Sequence, residues 1–238
     1  MRLQVSFSAS IVAVAALALS AGTPVQGQST AAPTAGNGTY IATDPLANVR
    51  YDNRFDASLG MAYGHIMAGP TLVQGANLGG LDLTGSYWFS KHWALEGSGR
   101  GYLGTSGAAA NDLNIKGPFV SQYIFAAGAE WLGPHNKHGA LIAHALAGGA
   151  YGNFEQDLRG NPPSAVDFYN NQLAPAAVFG GHFDLNRSAR WVFRVTPDAL
   201  FTRYSFNYPV TSPPTASPKD NWNFGISVGV EYRLKKTR

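Results

Sequence analysis

Between Asn221 and Leu234, apolar residues alternate without a break with small or polar ones. Trp222, Phe224, Ile226, Val228, Val230, Tyr232 and Leu234 fall on one face, and Asn223, Gly225, Ser227, Gly229, Glu231 and Arg233 on the other. A period of two is that of a β-strand, whose successive side chains point to opposite faces. A helix would scatter the same residues around its whole circumference. Aromatics sit towards both ends with aliphatics between them, the profile of a strand facing lipid between two interfacial girdles.

Seven further segments repeat the pattern less regularly. Strand one places Phe55, Ala57, Leu59, Met61 and Tyr63 on one face, and strand two places Leu81, Leu83, Gly85, Tyr87 and Phe89. Strand three carries Trp93, Leu95 and Leu103 among glycines, and strand four Tyr123, Phe125, Ala127, Ala129 and Trp131. Strand five, about 140–154, is dominated by Ala and Gly and is the weakest of the set. Strand six carries Leu173, Ala177, Phe179 and Phe183, and strand seven Trp191, Phe193 and Val195. Only 13% of residues are charged, about half the share in soluble domains, yet the mean hydropathy is −0.10. Low charge without a continuous apolar run fits strands that alternate between lipid and a polar lumen.

The joins between these segments are sorted by length. Ser90–His92, Gly133–His138 and Leu185–Ala189 are short turns after strands two, four and six. The joins at about 65–77, 105–118, 155–172 and 205–220 are longer and rich in Gly, Pro, Asn and Ser. Short turns on one side and long loops on the other are the arrangement of outer-membrane barrels with both termini in the periplasm. A soluble ligand-binding barrel would share the period, but its outer face would need abundant Lys and Glu. Here the polar face is mostly Gly, Ser, Thr and Asn. The sequence therefore predicts an all-β fold, an eight-stranded antiparallel up-and-down transmembrane β-barrel over residues 54–234.

Two runs carry a family resemblance: Gly85-Ser86-Tyr87-Trp88-Phe89 through Trp93-Ala94-Leu95-Glu96, and the closing Gly229-Val230-Glu231-Tyr232-Arg233-Leu234. In these the chain resembles the outer-membrane β-barrel domain family, the OmpA-like and OmpX-like small barrels. The likeness covers about residues 54–234 and rests on pattern rather than fixed motifs. It implies outer-membrane lipids and the barrel-insertion machinery as partners; the oligomeric state is open, with a monomer expected. The family's last strand usually ends the chain on an aromatic read by that machinery. Here Leu234 stands in that place, followed by Lys235-Lys236-Thr237-Arg238; either the short tail is tolerated or Tyr232 serves as the aromatic anchor.

The N-terminus reads as a targeting segment. Met1-Arg2 is followed by an apolar core from Ile11 to Leu19, too short to span a bilayer as a helix. Cleavage is expected after Gly27, or earlier near Ser20 or Ala21. The expected organisation is a signal peptide over 1–27, a flexible periplasmic lead-in over 28–53, the barrel over 54–234 and a basic tail over 235–238, with the protein in the cell outer membrane.

An eight-stranded barrel has an interior that side chains can fill. Strand parity points Asp82, Glu96, Arg100, Glu130, His144, His182, Arg194, Glu231 and Arg233 inward as a polar lumen network. A turn centred on Lys91 sets Asp82 opposite Arg100, and one near Lys137 sets Glu130 opposite His144. Buried charges need partners, so the network reads as a structural polar plug, with a gated ion path as the sharper alternative. Pro197 falls in mid-strand, where it cannot donate to a ladder. Counting through a turn at Asn186-Arg187 places Pro175 nearly opposite it and suggests a β-bulge near Pro197-Asp198. Such a bulge would turn Tyr204 and Phe206 outward and Arg203 inward; without it Arg203 faces the outer rim.

Several classes of function are disfavoured. The chain has no cysteine, which excludes disulfides, thiolate metal sites and cysteine nucleophiles. The formal charge of +3 is scattered, and no basic run tracks with aromatics as a nucleic-acid surface requires. Lipid-modifying barrels need a Ser activated by His, and no histidine here is followed by Ser two residues later; no catalytic residue is expected. His135 and His138 share a turn without an evident third ligand, and no metal or cofactor is assigned. Lys91, Lys137, Arg187, Lys235, Lys236 and Arg238 bias the turns and tail towards positive charge, suited to anionic lipid heads. Loop three, the longest at about 155–172, carries Glu155, Asp157, Arg159 and Asp167 and reads as a solvated loop. The expected role is a small envelope barrel, structural or acting through its loops; a narrow gated channel and an adhesion or ligand-binding barrel are the alternatives.

Overall fold

The computed structural model describes residues 44–70, 75–208 and 215–234. The expected signal peptide, the first part of the lead-in and the basic tail lie outside them. Eight strands follow in chain order: β1 (Phe55–Ile66), β2 (Ala76–Trp88), β3 (Trp93–Thr105), β4 (Phe119–His135), β5 (Gly139–Asn153), β6 (Gln172–Asn186), β7 (Trp191–Tyr208) and β8 (Thr215–Leu234). Each is antiparallel to its chain neighbours, and β8 returns to pair with β1, so the sheet closes with no free edge. At the closing seam Gly60 pairs with Gly229. A Cβ on Gly229 would run into the backbone of Leu59 and Gly60, so the close approach of the first and last strands depends on that glycine.

The outer wall is apolar. Leu59, Met61, Leu81, Leu83, Phe125, Leu173 and Trp222 all expose more than half of their surface, Leu173 as much as 75%. Outward positions alternate along every strand, and from Phe55 to Tyr63, Leu81 to Tyr87, Trp93 to Leu103, Tyr123 to Trp131, Leu141 to Tyr151, Leu173 to Leu185, Trp191 to Phe201 and Trp222 to Leu234 none is charged. Soluble monomers rarely expose contiguous apolar patches beyond a few hundred Å²; here the apolar surface is a continuous belt. Aromatic pairs mark its borders: Phe55–Tyr87 at 5.0 Å and Trp191–Tyr232 at 4.8 Å at the turn end, and Phe201–Trp222 at 5.2 Å at the loop end. Beyond the last pair, Arg203 and Asp220 face each other at 3.4 Å on the outer rim. The barrel is inside-out, and its solvent is a bilayer.

Short connections at 89–92, 136–138 and 187–190 gather at one end, and the strand ends that border the longer ones at 67–75, 106–118, 154–171 and 209–214 lie at the other. The hairpin of β7 and β8 stays in register as far as Tyr208 opposite Thr215, which leaves a shorter fourth loop than the expected 205–220.

Strand seven requires a correction. No bulge forms at Pro197-Asp198: β7 pairs β8 in one unbroken register. The ladder to β6 pauses between the Gly180–Asp198 and Phe183–Val195 pairs and resumes in the same register. The missing donor is therefore absorbed as a local gap rather than as an inserted residue. Gly180 makes room, since a Cβ there would strike Asp198 and the Pro197 carbonyl. The turn is also centred further along than expected, with Arg187 N–H bonded to the Trp191 carbonyl at 2.9 Å. Gly181, not Pro175, thus lies across from Pro197. Parity is kept: Tyr204 and Phe206 are buried inside and Arg203 faces out. A true register shift lies elsewhere, between Leu132 and His135 on β4.

Candidate functional site

The lumen is divided along its axis. Inward residues near the turn end are mostly charged or polar, around a small apolar group of Leu132, Ala140 and Ile142, whereas those near the loop end are mostly apolar, with Gln122, Thr202, Asn221 and Asn223 among them. Ile66, Leu78, Tyr102, Val120, Ile124, Leu146, Leu200, Tyr204 and Phe206 form a continuous buried cluster at the loop end. Loop 154–171 folds back onto it and contributes Phe154, Leu158, Val166, Phe168 and Tyr169. A 3-10 turn at Pro163–Val166 and a bond from Tyr169 N–H to the Ala68 carbonyl at 3.0 Å hold the loop in place. Its charged residues face the other way, as expected: Glu155 accepts from Asn171 N–H at 2.8 Å, and Asp157 from Phe119 N–H at 3.3 Å. The sequence reading missed the apolar half of this loop because its aromatics follow no strand period.

All nine residues assigned to the lumen by parity are inside the barrel, none more than 5% exposed. Asp82 pairs with Arg100 across β2 and β3, and Glu130 with His144 across β4 and β5, the registers expected from the two turns. Three acids escaped the sequence reading and join the network: Asp56, Asp184 and Asp198. Parity could have found Asp56 and Asp184, since each follows an outward phenylalanine; Asp198 was obscured by the presumed bulge.

The charged groups sort into three clusters. At the turn end Arg194 grips Asp184 with two bonds, Nε to Oδ1 at 2.7 Å and Nη2 to Oδ2 at 2.9 Å. Arg194 also pairs with Glu231, which Arg233 Nε bonds at 2.9 Å. The Arg233 guanidinium lies 4.5 Å from the centre of the Tyr51 ring. Tyr51 accepts from Asn186 Nδ2 at 2.8 Å and donates to the Asn136 carbonyl at 3.0 Å, so ordered contacts begin before the expected start of the fold near Arg54. Beside it Trp88 Nε1 donates to Asp56 at 2.6 Å.

Further in, Arg100 sits between Asp82, with Nε 3.4 Å from Oδ1, and Asp198, with which Nη1 pairs directly. Ser227 donates to Asp82 at 2.6 Å. Between the two arginine clusters lie His144, His182 and Glu96. Glu96 Oε2 is 2.8 Å from His144 Nδ1 and 3.3 Å from His182 Nε2, and those two ring nitrogens are 3.3 Å apart. The far nitrogen of each ring is also held, His144 Nε2 by Asp198 Oδ1 at 2.7 Å and His182 Nδ1 by Thr196 Oγ1 at 2.8 Å. His144 therefore takes Glu96 and Asp198 as its bonded partners instead of its cross-strand neighbour Glu130. Neither Glu130 oxygen has a hydrogen bond within 3.5 Å. Glu96, His144 and His182 are the one cluster of three buried donor groups, among the described residues, placed to share a metal ion.

Chemically the described lumen is a packed, charge-lined core. Cavities along its polar half measure about 20 Å³ beside Asp56, Arg194 and Arg233 and about 10 Å³ beside Asp82 and Ser227, room for about one water each at most. Thr196, His182 and Glu96 are connected like a hydrolytic relay, but Thr196 is buried within the barrel.

No protein-family model matches the chain, and no curated protein matches it in sequence. Solved structures do resemble it. Ail, the attachment invasion locus protein of Yersinia pestis, is 16% identical with a TM-score of 0.46, covering 76% of this chain and 99% of its own. The outer membrane protein OprG from Pseudomonas aeruginosa is 15% identical with a TM-score of 0.49, covering 77% and 97%. The outer membrane protein W of E. coli is 13% identical with a TM-score of 0.38, covering 76% and 98%. By its own closed sheet and inverted surface, the chain is a small eight-stranded transmembrane β-barrel.

Proposed function

We propose that this protein is a non-catalytic barrel of the bacterial outer membrane, sealed along its axis, which supports envelope integrity and presents its four loops outward. The observation that carries this reading is the double seal of the lumen. Ion pairs of Arg194, Arg233 and Arg100 fill one half, and aromatics of loop 154–171 close the other. A barrel built this way works through its two ends and its lipid face. In this orientation both termini are periplasmic, and Lys91 and Arg187 lie level with the inner-leaflet headgroups. Lys137 is engaged there with Asp44 at 3.2 Å, an exposed pair of little energetic weight.

Three experiments test the reading. Fractionation should recover the mature chain in outer membranes with a heat-modifiable gel shift; recovery in the soluble periplasm refutes it. Planar-bilayer recording should give near-zero current for the parent and for Arg100→Ala alike, because Arg100→Ala breaches one seal only. Discrete openings in the parent would favour the channel reading. A deletion strain should become sensitive to detergents, with rescue by a loop-trimmed barrel separating an envelope role from a loop-borne one.

A further inference from the structure

The lumen carries more acid than base. Seven carboxylates are buried there, against three arginines and two histidines. The arginines are committed to Asp82, Asp198, Asp184 and Glu231, which leaves Glu96 facing two imidazoles. We propose that Glu96, His144 and His182 form a buried site for a divalent first-row transition-metal ion, with zinc the best fit to its donor set and size.

The geometry is that of a ligand face. Edges of 2.8, 3.3 and 3.3 Å place the point equidistant from all three donors about 1.8 Å from each. An ion bonded at the about 2.0–2.1 Å usual for zinc would sit roughly 0.9 Å out of that plane, close to the pyramid of three ligands in a tetrahedral site. Glu96 Oε1 has no hydrogen-bond partner and is free to bind as a second carboxylate oxygen, completing four donors from three residues.

The outer contacts set the tautomers the site needs. Asp198 is an acceptor only, so His144 Nε2 carries a proton, and Nδ1 presents its lone pair to an ion once the proton it shares with Glu96 is displaced. Thr196 can accept from His182 Nδ1, leaving Nε2 with a lone pair. Carboxylate–histidine and hydroxyl–histidine contacts are the supports that orient ligating imidazoles. Three lone pairs then converge with no donor between them. A proton on His144 Nδ1 is the competing occupant, and it bridges one edge of the triangle well, whereas a metal ion satisfies all three. Because the site is enclosed, loading belongs to the folding step.

The test is refolding of the full barrel into chelator-treated detergent with Co(II), then with Zn(II), both present from the start. The expected result is one ion retained per chain after dialysis, with the intense visible bands of four-coordinate Co(II). His182→Ala and Glu96→Gln should abolish retention while keeping the heat-modifiable shift, and Thr196→Val should weaken affinity by about 10–100-fold. His92→Ala/His135→Ala, which removes a ring pair 6.4 Å apart at the turn end, should change nothing. Should His182→Ala not fold, X-ray absorption on the zinc-loaded parent decides, by showing two imidazoles in the first shell. Retention below about 0.1 ion per chain overturns the proposal. So does a first shell without imidazole, or binding that follows His92 and His135.

Discussion

Replacing Arg194 by methionine removes a guanidinium that is buried in the lumen and bonds Asp184 twice, at 2.7 and 2.9 Å. Glu231 keeps Arg233 at 2.9 Å, whereas Asp184 retains only a 3.8 Å contact with the same arginine. One buried carboxylate is therefore orphaned, and removal of one partner from a buried pair costs about 3–5 kcal/mol. Removing the acid as well, in Arg194→Met/Asp184→Leu, takes away the unpaired charge, so most of that loss should return and the double variant should fall within about 1–2 kcal/mol of the parent. The coupling in the cycle is then about 2–3 kcal/mol plus whatever Asp184→Leu costs alone. Urea unfolding from lipid vesicles, followed by the fluorescence of the five tryptophans and by the heat-modifiable gel shift, measures all four corners. Additivity of the two changes, or a single-variant loss under about 1 kcal/mol, would mean that Arg194 and Asp184 are solvated. The sealed-lumen reading would fall with that result.

Other perturbations probe the wall and the register. Phe125→Arg puts a charge at a position 67% exposed on the lipid face and should cost about 2–4 kcal/mol in vesicles, read by the same unfolding curves. Gly229→Val should slow or block refolding, because its side chain meets the backbone of Leu59 and Gly60 at the closing seam; the folded gel band should be lost, and its retention would refute the close approach. The chain has no native cysteine, so single-cysteine variants report cleanly on β7. Arg203→Cys should react with an aqueous maleimide and Tyr204→Cys should be protected, the reverse of what a bulge at Pro197 would give.

Strand pattern was legible because a period of two with one face in lipid leaves its mark on every residue. Thus β8 is written almost completely in its alternation, and even the Ala- and Gly-rich β5 ends within a residue of its expected bounds. Turn length carried the cross-strand pairs Asp82–Arg100 and Glu130–His144. What could not be read was anything set by contact across the lumen. Asp198 meets His144 and Arg100 from the far wall, and no local spacing encodes that meeting. Pro197 signalled a broken ladder correctly, but whether a strand answers with a bulge or a gap depends on the facing residue. Here Gly180 admits the gap. The aromatics of loop 154–171 lack a period, so nothing local in the sequence marks Phe168 and Tyr169 as part of the core.

The central claim is that the apolar face lies in lipid and the charged face in the lumen. Nitroxide accessibility along β8, one label at a time from Trp222 to Leu234 in bilayers, tests it most directly. Collision with oxygen should peak at 222, 224, 226, 228, 230, 232 and 234 and fall at every position between, with water-soluble nickel complexes excluded across the middle of the strand. Equal accessibility at neighbouring positions, or nickel quenching that follows the apolar face, would contradict a membrane-spanning barrel.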